Sequence, residues 1–187
     1  MSSLVQKVGH DPNITTFAVT PFKKARVGET LFFELAVSAD AGKNQLKHPE
    51  AKPNRPGYGN FSILCDEGTP YGGDDSAPSP LSYFATGIAC CVLSHLTMYQ
   101  DAFELEIAAI RVELRMRFSG TATMQDLLKD GLFGNSDGLE AHISITSDEP
   151  REKLQAMFDS SVAACLALQT VRNPVPVDAK LHLDSAA

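Results

Sequence analysis

The sequence predicts an α+β fold in which antiparallel sheets pack on a long central helix, and three observations lead there. Short stretches rich in β-branched and aromatic residues come in groups, one before residue 65 and one after residue 107. Between the groups, a single apolar run repeats at the helical period. Strands and helices do not alternate one by one, which sets aside a doubly wound parallel sheet.

Residues 14–20, ITTFAVT, and 31–39, LFFELAVSA, read as strands, and the intervening PFKKARVGE carries turn chemistry, so a β-hairpin is expected first. Residues 40–56, DAGKNQLKHPEAKPNRP, are polar, hold three prolines and show no period, and read as a long surface loop. A short strand at Phe61–Cys65 follows, and then DEGTPYGGDDSAPSP, whose Gly-Gly and prolines interrupt either regular element. Residues 79–100, SPLSYFATGIACCVLSHLTMYQ, form the clearest helix. Leu81, Phe84, Ala85, Ile88, Val92, Leu96 and Tyr99 recur three and four apart, Ser79 suits the cap and Pro80 the first turn. Apolar round most of its circumference, this helix is expected to be buried.

Residues 107–118, IAAIRVELRMRF, alternate charge and hydrophobe as a half-buried strand does. Residues 119–138 read as a loop with one helical turn near Met124–Lys129, and Ala141–Ser147 as another short strand. Ser147 opens a second helix from about Pro150 to Gln169, with Leu154, Met157, Phe158, Cys165 and Leu168 on one stripe, so Cys165 points inward. The tail NPVPVDAKLHLD ends that helix and is expected to add an edge strand. The whole chain, 1–187, reads as one domain, with N-terminal strands over about 14–65, the central helix over about 79–100, and C-terminal strands and helix over about 107–183.

At 43% hydrophobic and 21% charged, the 187-residue chain carries enough apolar material for a core. A formal charge of −7 disfavours nucleic acid and anionic lipid as partners, since both are gripped by clustered Lys and Arg. No run is read as approaching the roughly 18 to 20 apolar residues of a bilayer span, so a cytoplasmic protein with no membrane partner is expected. The four cysteines, Cys65, Cys90, Cys91 and Cys165, fit neither a secreted disulfide scaffold nor a zinc site, and no cofactor or metal is expected. Signatures of nucleotide, phosphate, zinc-protease and serine-hydrolase chemistry are absent from the sequence.

What remains is thiol chemistry. A rotation of about 100° per residue places Gly87, Ser94 and Met98 near Cys91 while Cys90 points elsewhere. His95 is four residues beyond Cys91, so one turn brings an imidazole beside the sulfur, where its protonated form would stabilise a thiolate. The competing reading is a histidine filling a polar gap. Cys65 reads as a small core hydrophobe, and Asp66, Glu67, Asp74 and Asp75 as a solvated turn, with a bound cation as the alternative.

The run ILCDEGTPYGGDDSAPSPLSYFATGIACCVLSHLTMY resembles the stretch of OsmC/Ohr-like proteins (osmotically inducible protein C and organic hydroperoxide resistance proteins) in which an acidic turn, a Gly-Gly and a Pro lead into a helix bearing the reactive Cys. The later LQAMFDSSVAACLALQTVRNPVPVDAKLHL looks like that family's second helix and closing strand. The resemblance spans roughly Phe32 to Leu183. It implies an OsmC/Ohr-like fold, with antiparallel sheets wrapped around the central helix in an intertwined homodimer whose active sites lie at the interface. It also implies that Cys91 is the peroxidatic cysteine and Cys165 the resolving one, in a stress-response enzyme that reduces organic hydroperoxides. An external dithiol such as dihydrolipoamide would serve as reductant.

The chain departs from the family pattern in one place. Hydroperoxide reductases of this kind place a Glu just after the helix-starting Pro, where this chain has Leu81 and Ser82. They also use an Arg, which can lower a neighbouring thiol pKa by about 1 to 3. Arg26 and Arg55 are the arginines before the central helix, and Arg55, leading into the next strand, is the better candidate. The missing Glu favours a rival reading, a small-molecule-binding protein of the same fold with weak or no peroxidase activity. A Cys-His hydrolase or transferase is a weaker third, lacking an oxyanion loop and an orienting acid.

Overall fold

The structure, a computed structural model, describes residues 3–9, 35–53, 57–121, 131 and 133–183. The expected strand 14–20, the start of the strand 31–39, the helical turn near 124–129, Arg26 and Arg55 lie outside the described residues. The chain divides into two compact units, Met1–Tyr83 and Phe84–Ala187.

In the first unit, strands β1 (Val5–Val8), β2 (Leu35–Ala41), β3 (Lys47–Pro53) and β4 (Asn60–Ile63) form an antiparallel sheet in the order β1-β4-β3-β2. The expected long loop over 40–56 is therefore corrected, since its middle is β3. Asn44 and Gln45, both with positive φ, turn the chain between β2 and β3, and Gly42 N–H donates to the Leu46 carbonyl at 2.7 Å. The register explains how β3 tolerates prolines. Lys47 N–H donates toward the β4 side, to the Cys65 carbonyl, so alternation puts the missing donors of Pro49 and Pro53 on that side too. There β4 pairs with β3 only at Glu50 and Ala51, while the ladder to β2 runs unbroken from Pro53 to Lys47.

After β4 the chain folds on Asp66. This carboxylate is 1% exposed and accepts from Glu67 N–H (2.8 Å), Ser76 N–H (2.9 Å), Ser76 Oγ (2.7 Å) and Asp74 N–H (3.3 Å). These bonds hold its pKa down to about 2. The reading of a solvated turn is corrected for this residue. A Cβ on Gly73 would collide with the Glu67 carbonyl, so the loop closes only around glycine there. Ser79 then caps helix α1 (Pro80–Ala102) as expected, its Oγ accepting from Ser82 N–H at 3.3 Å.

The second unit contains most of α1, a long hairpin of β5 (Ile107–Gly120) and β6 (Gly134–Ser147), and helices α2 (Arg151–Ala164) and α3 (Leu166–Arg172). β6 begins earlier than expected because it pairs with β5 out to Gly120. The alternation of β5 places Val112, Leu114 and Met116 opposite Ile143, Ala141 and Leu139, all on the inner face, and Arg111, Glu113, Arg115 and Arg117 outside. Against that face lies a core of Ile88, Val92, Leu96, Leu105, Met157, Cys165 and Leu168.

Three further expectations are corrected. The second helix is two helices, broken at Cys165, whose ψ of 104° is extended. Residues 173–183 form no strand. And α1 buries only the stripe Ile88, Val92, Leu96 within this chain, leaving Leu81, Phe84 and Met98 exposed. By length and composition α1 is apolar enough to cross a membrane, contrary to the sequence reading. A core helix meets the same criterion, and here its central stripe is committed to protein.

Candidate thiol site

Ile88, Val92 and Leu96 anchor α1 against the second unit's core, which sets the rotation of the helix and leaves the neighbouring flank, with Cys91, at the core's edge. Cys91 is half-buried and packs against the cluster to which Cys165 belongs. Cys165 is wholly buried at the break between α2 and α3. Burial pushes its thiol pKa up; the backbone N–H groups of Leu168 and Ala167, aimed at the sulfur, pull it down in part; and a hydrogen bond and charge from Cys91 push it up again. The fold thus packs Cys91 against the cluster that holds Cys165, 74 positions later in the chain by subtraction of their numbers, and both are free thiols.

The helix break makes this possible. In an unbroken helix the amides of Ala167 and Leu168 would donate to carbonyls one turn back. With Cys165 extended they are first-turn donors without intrahelical partners, and they favour the ionised form of the thiol they follow. The break is itself held by Cys165 N–H donating to the Ser161 carbonyl at 3.0 Å.

Among the other sequence candidates, His95 is half-buried one turn beyond Cys91. Cys90 is exposed, and its carbonyl accepts from Ser94 Oγ at 2.9 Å. Cys65 is buried in the first unit, where burial raises its pKa and Lys47 opposes that rise. Ser82, at the position where a Glu was looked for, shares a 2.8 Å hydrogen bond with Ser79. Among the described residues, no group of three or more His, Cys, Asp or Glu is placed to hold a metal.

Ser161 was missed. It lies one turn before Cys165, is 2% exposed, and its Oγ has no hydrogen-bond partner among the described residues. The signal was available: the apolar stripe Leu154, Met157, Cys165, Leu168 passes through position 161 and finds a hydroxyl there.

A family model described as OsmC-like protein matches residues 73–180. No curated protein matches the sequence. Among solved structures, an OsmC-like hydroperoxide resistance protein from Jannaschia sp. is 19% identical with a TM-score of 0.52, covering 81% of this chain and 93% of its own. An OsmC-like protein from Mycoplasma pneumoniae is 16% identical with a TM-score of 0.54, covering 74% and 87%. The organic hydroperoxide resistance protein OsmC from Legionella pneumophila is 15% identical with a TM-score of 0.50, covering 76% and 92%. At these identities the likeness is one of fold: antiparallel sheets with a long central helix.

Proposed function

The chain belongs to the OsmC-like family, and from that premise we propose that it reduces organic hydroperoxides with the Cys91 and Cys165 pair. The observation that carries this reading is the packing of Cys91 against the core cluster in which Cys165 is buried. The Cys91 thiolate attacks the outer oxygen of ROOH, the O–O bond breaks, and with one proton the products are ROH and a Cys91 sulfenic acid. The Cys165 thiol then forms an S–S bond with Cys91 and water leaves. An external dithiol such as dihydrolipoamide restores both thiols by exchange and is itself oxidised to the disulfide. Cys91, at the edge of the core, is the thiol a substrate reaches first; Cys165, inside, is protected from peroxide.

In this reading His95, one turn from Cys91, supports the thiolate, and Arg55 is a second candidate for that task. The working form is a homodimer in the cytoplasm. Its support is physical: Leu81, Phe84 and Met98 of α1 are left exposed by one chain, and an isolated two-stranded sheet is a marginal layer without further strands. The test is consumption of cumene hydroperoxide with dihydrolipoamide by wild type, Cys91→Ser and Cys165→Ser. Equal rates in all three would end the peroxidase reading. That result would leave small-molecule binding with little or no turnover, which Leu81 and Ser82 in place of a carboxylate favour.

A further inference from the structure

The inner face of β5–β6, together with α2 and α3, encloses an open groove of about 730 Å³. That lies within the range of about 300–1,000 Å³ typical of small-molecule sites. Its walls are apolar, with Met116, Leu139 and Ile143 from the sheet and Phe158, Val162 and Leu168 from the helices. Neither Cys91 nor Cys165 lines it. One charged side chain does: Arg172, in the last turn of α3.

A basic residue at a helix C-terminus commonly answers the last carbonyls. Here one of those carbonyls is answered by its neighbour: Asn173 donates to the Gln169 carbonyl from both its backbone N–H and its Nδ2, each at 3.0 Å. Among the described residues Arg172 forms no ion pair, although the chain as a whole is acidic. A guanidinium beside apolar walls is complementary to one class of molecule, an apolar body carrying an anion, and its planar fork matches a carboxylate best.

We propose that this groove binds an ionised apolar carboxylic acid, its alkyl chain against Met116, Leu139 and Phe158 and its carboxylate on Arg172. The site is separate from the thiol chemistry and does not rest on it.

The test is calorimetric titration of the full chain with decanoate and with 1-decanol, which share a chain and differ in charge. Wild type binds decanoate about tenfold more tightly than decanol, as expected for one charge-assisted hydrogen bond. Arg172→Gln removes the preference and leaves decanol binding in place, Arg172→Lys recovers part of it, and Val171→Asp, at a half-exposed groove position, weakens both ligands. Equal affinities in wild type, or a preference that survives Arg172→Gln, would overturn the assignment. So would folded wild type that binds neither ligand. Cys91→Ser protein keeps the decanoate preference, so loss of turnover there and loss of selectivity in Arg172→Gln separate the two proposals.

Discussion

Two buried acids, Asp66 in the first unit and Cys165 in the second, are treated in opposite ways. In the first, Asp66 spends its full acceptor capacity on Glu67, Asp74 and Ser76, and is held ionised with a pKa of about 2. In the second, Cys165 keeps its proton under burial, its neighbour Cys91 adds to that preference, and the Ser161 hydroxyl one turn away has no partner among the described residues. A fully satisfied carboxylate is a fastener, since changing its charge costs the loop its folding. A buried thiol with a second thiol beside it and unspent polar capacity nearby is a place where bonds can change without dismantling the structure.

The most direct way to break that contrast is at the thiols. Cys91→Ser is expected to cut hydroperoxide consumption by more than about 100-fold, because Cys91 is the thiol packed against the cluster that holds Cys165. Cys165→Ser is expected to allow the first turnover and then stall, with mass spectrometry showing Cys91 advancing to the sulfinic acid. If Cys165→Ser keeps full turnover with a clean Cys91, the two sulfurs are a packing pair and the contrast fails. A milder probe is alkylation at pH 8, with peptide mapping of the adducts. Cys90, exposed, reacts at least about tenfold faster than Cys165, buried and raised; faster labelling at Cys165 would show that its burial is not maintained.

The fastener is tested by acid. The folded pKa of Asp66 lies below its ordinary 3.8, so its contribution to stability is complete above about pH 4 and is lost as pH falls toward 2. Asp66→Asn cannot replace it. Oδ1 and Oδ2 both accept N–H donors, so either orientation of the amide sets an NH₂ against a backbone N–H. The variant is expected to melt on the order of 5 °C lower at pH 7 and to flatten the acid limb between pH 4 and 2. A wild-type melting profile without that limb would show that the carboxylate is not the loop's fastener.

Much of this was legible in the sequence, and what was not follows a pattern. The α1 helix, its Ser79 cap, the β5 alternation and the inward face of Cys165 all rest on periodicity, which survives without tertiary information. β3 was read as a loop because its prolines count against a strand until the register shows that both missing donors face the interrupted side. The break at Cys165 was invisible because Leu166, Ala167 and Leu168 are helix formers, with neither Gly nor Pro to mark the end. β1, four residues long, carries too little pattern to read. The tail from Val177 to Leu183 alternates like a strand but is exposed and pairs with no strand among the described residues, so its pattern alone overstates its structure.

The smallest expected effect bears most closely on the contrast. A buried hydroxyl without a partner costs folding free energy that an apolar side chain of similar size does not. Ser161→Ala is therefore expected to raise stability, by up to about 1 kcal/mol in a urea unfolding series, if the hydroxyl serves nothing. If the site is one where bonds change, the gain comes with a loss: the hydroxyl is one turn from Cys165, and removing it should slow disulfide formation after a single addition of peroxide. A variant that is more stable and resolves at the wild-type rate would mark Ser161 as a packing flaw. A variant less stable than wild type would mean the hydroxyl has a partner in solution, and the two buried acids would then differ less than their hydrogen bonds indicate.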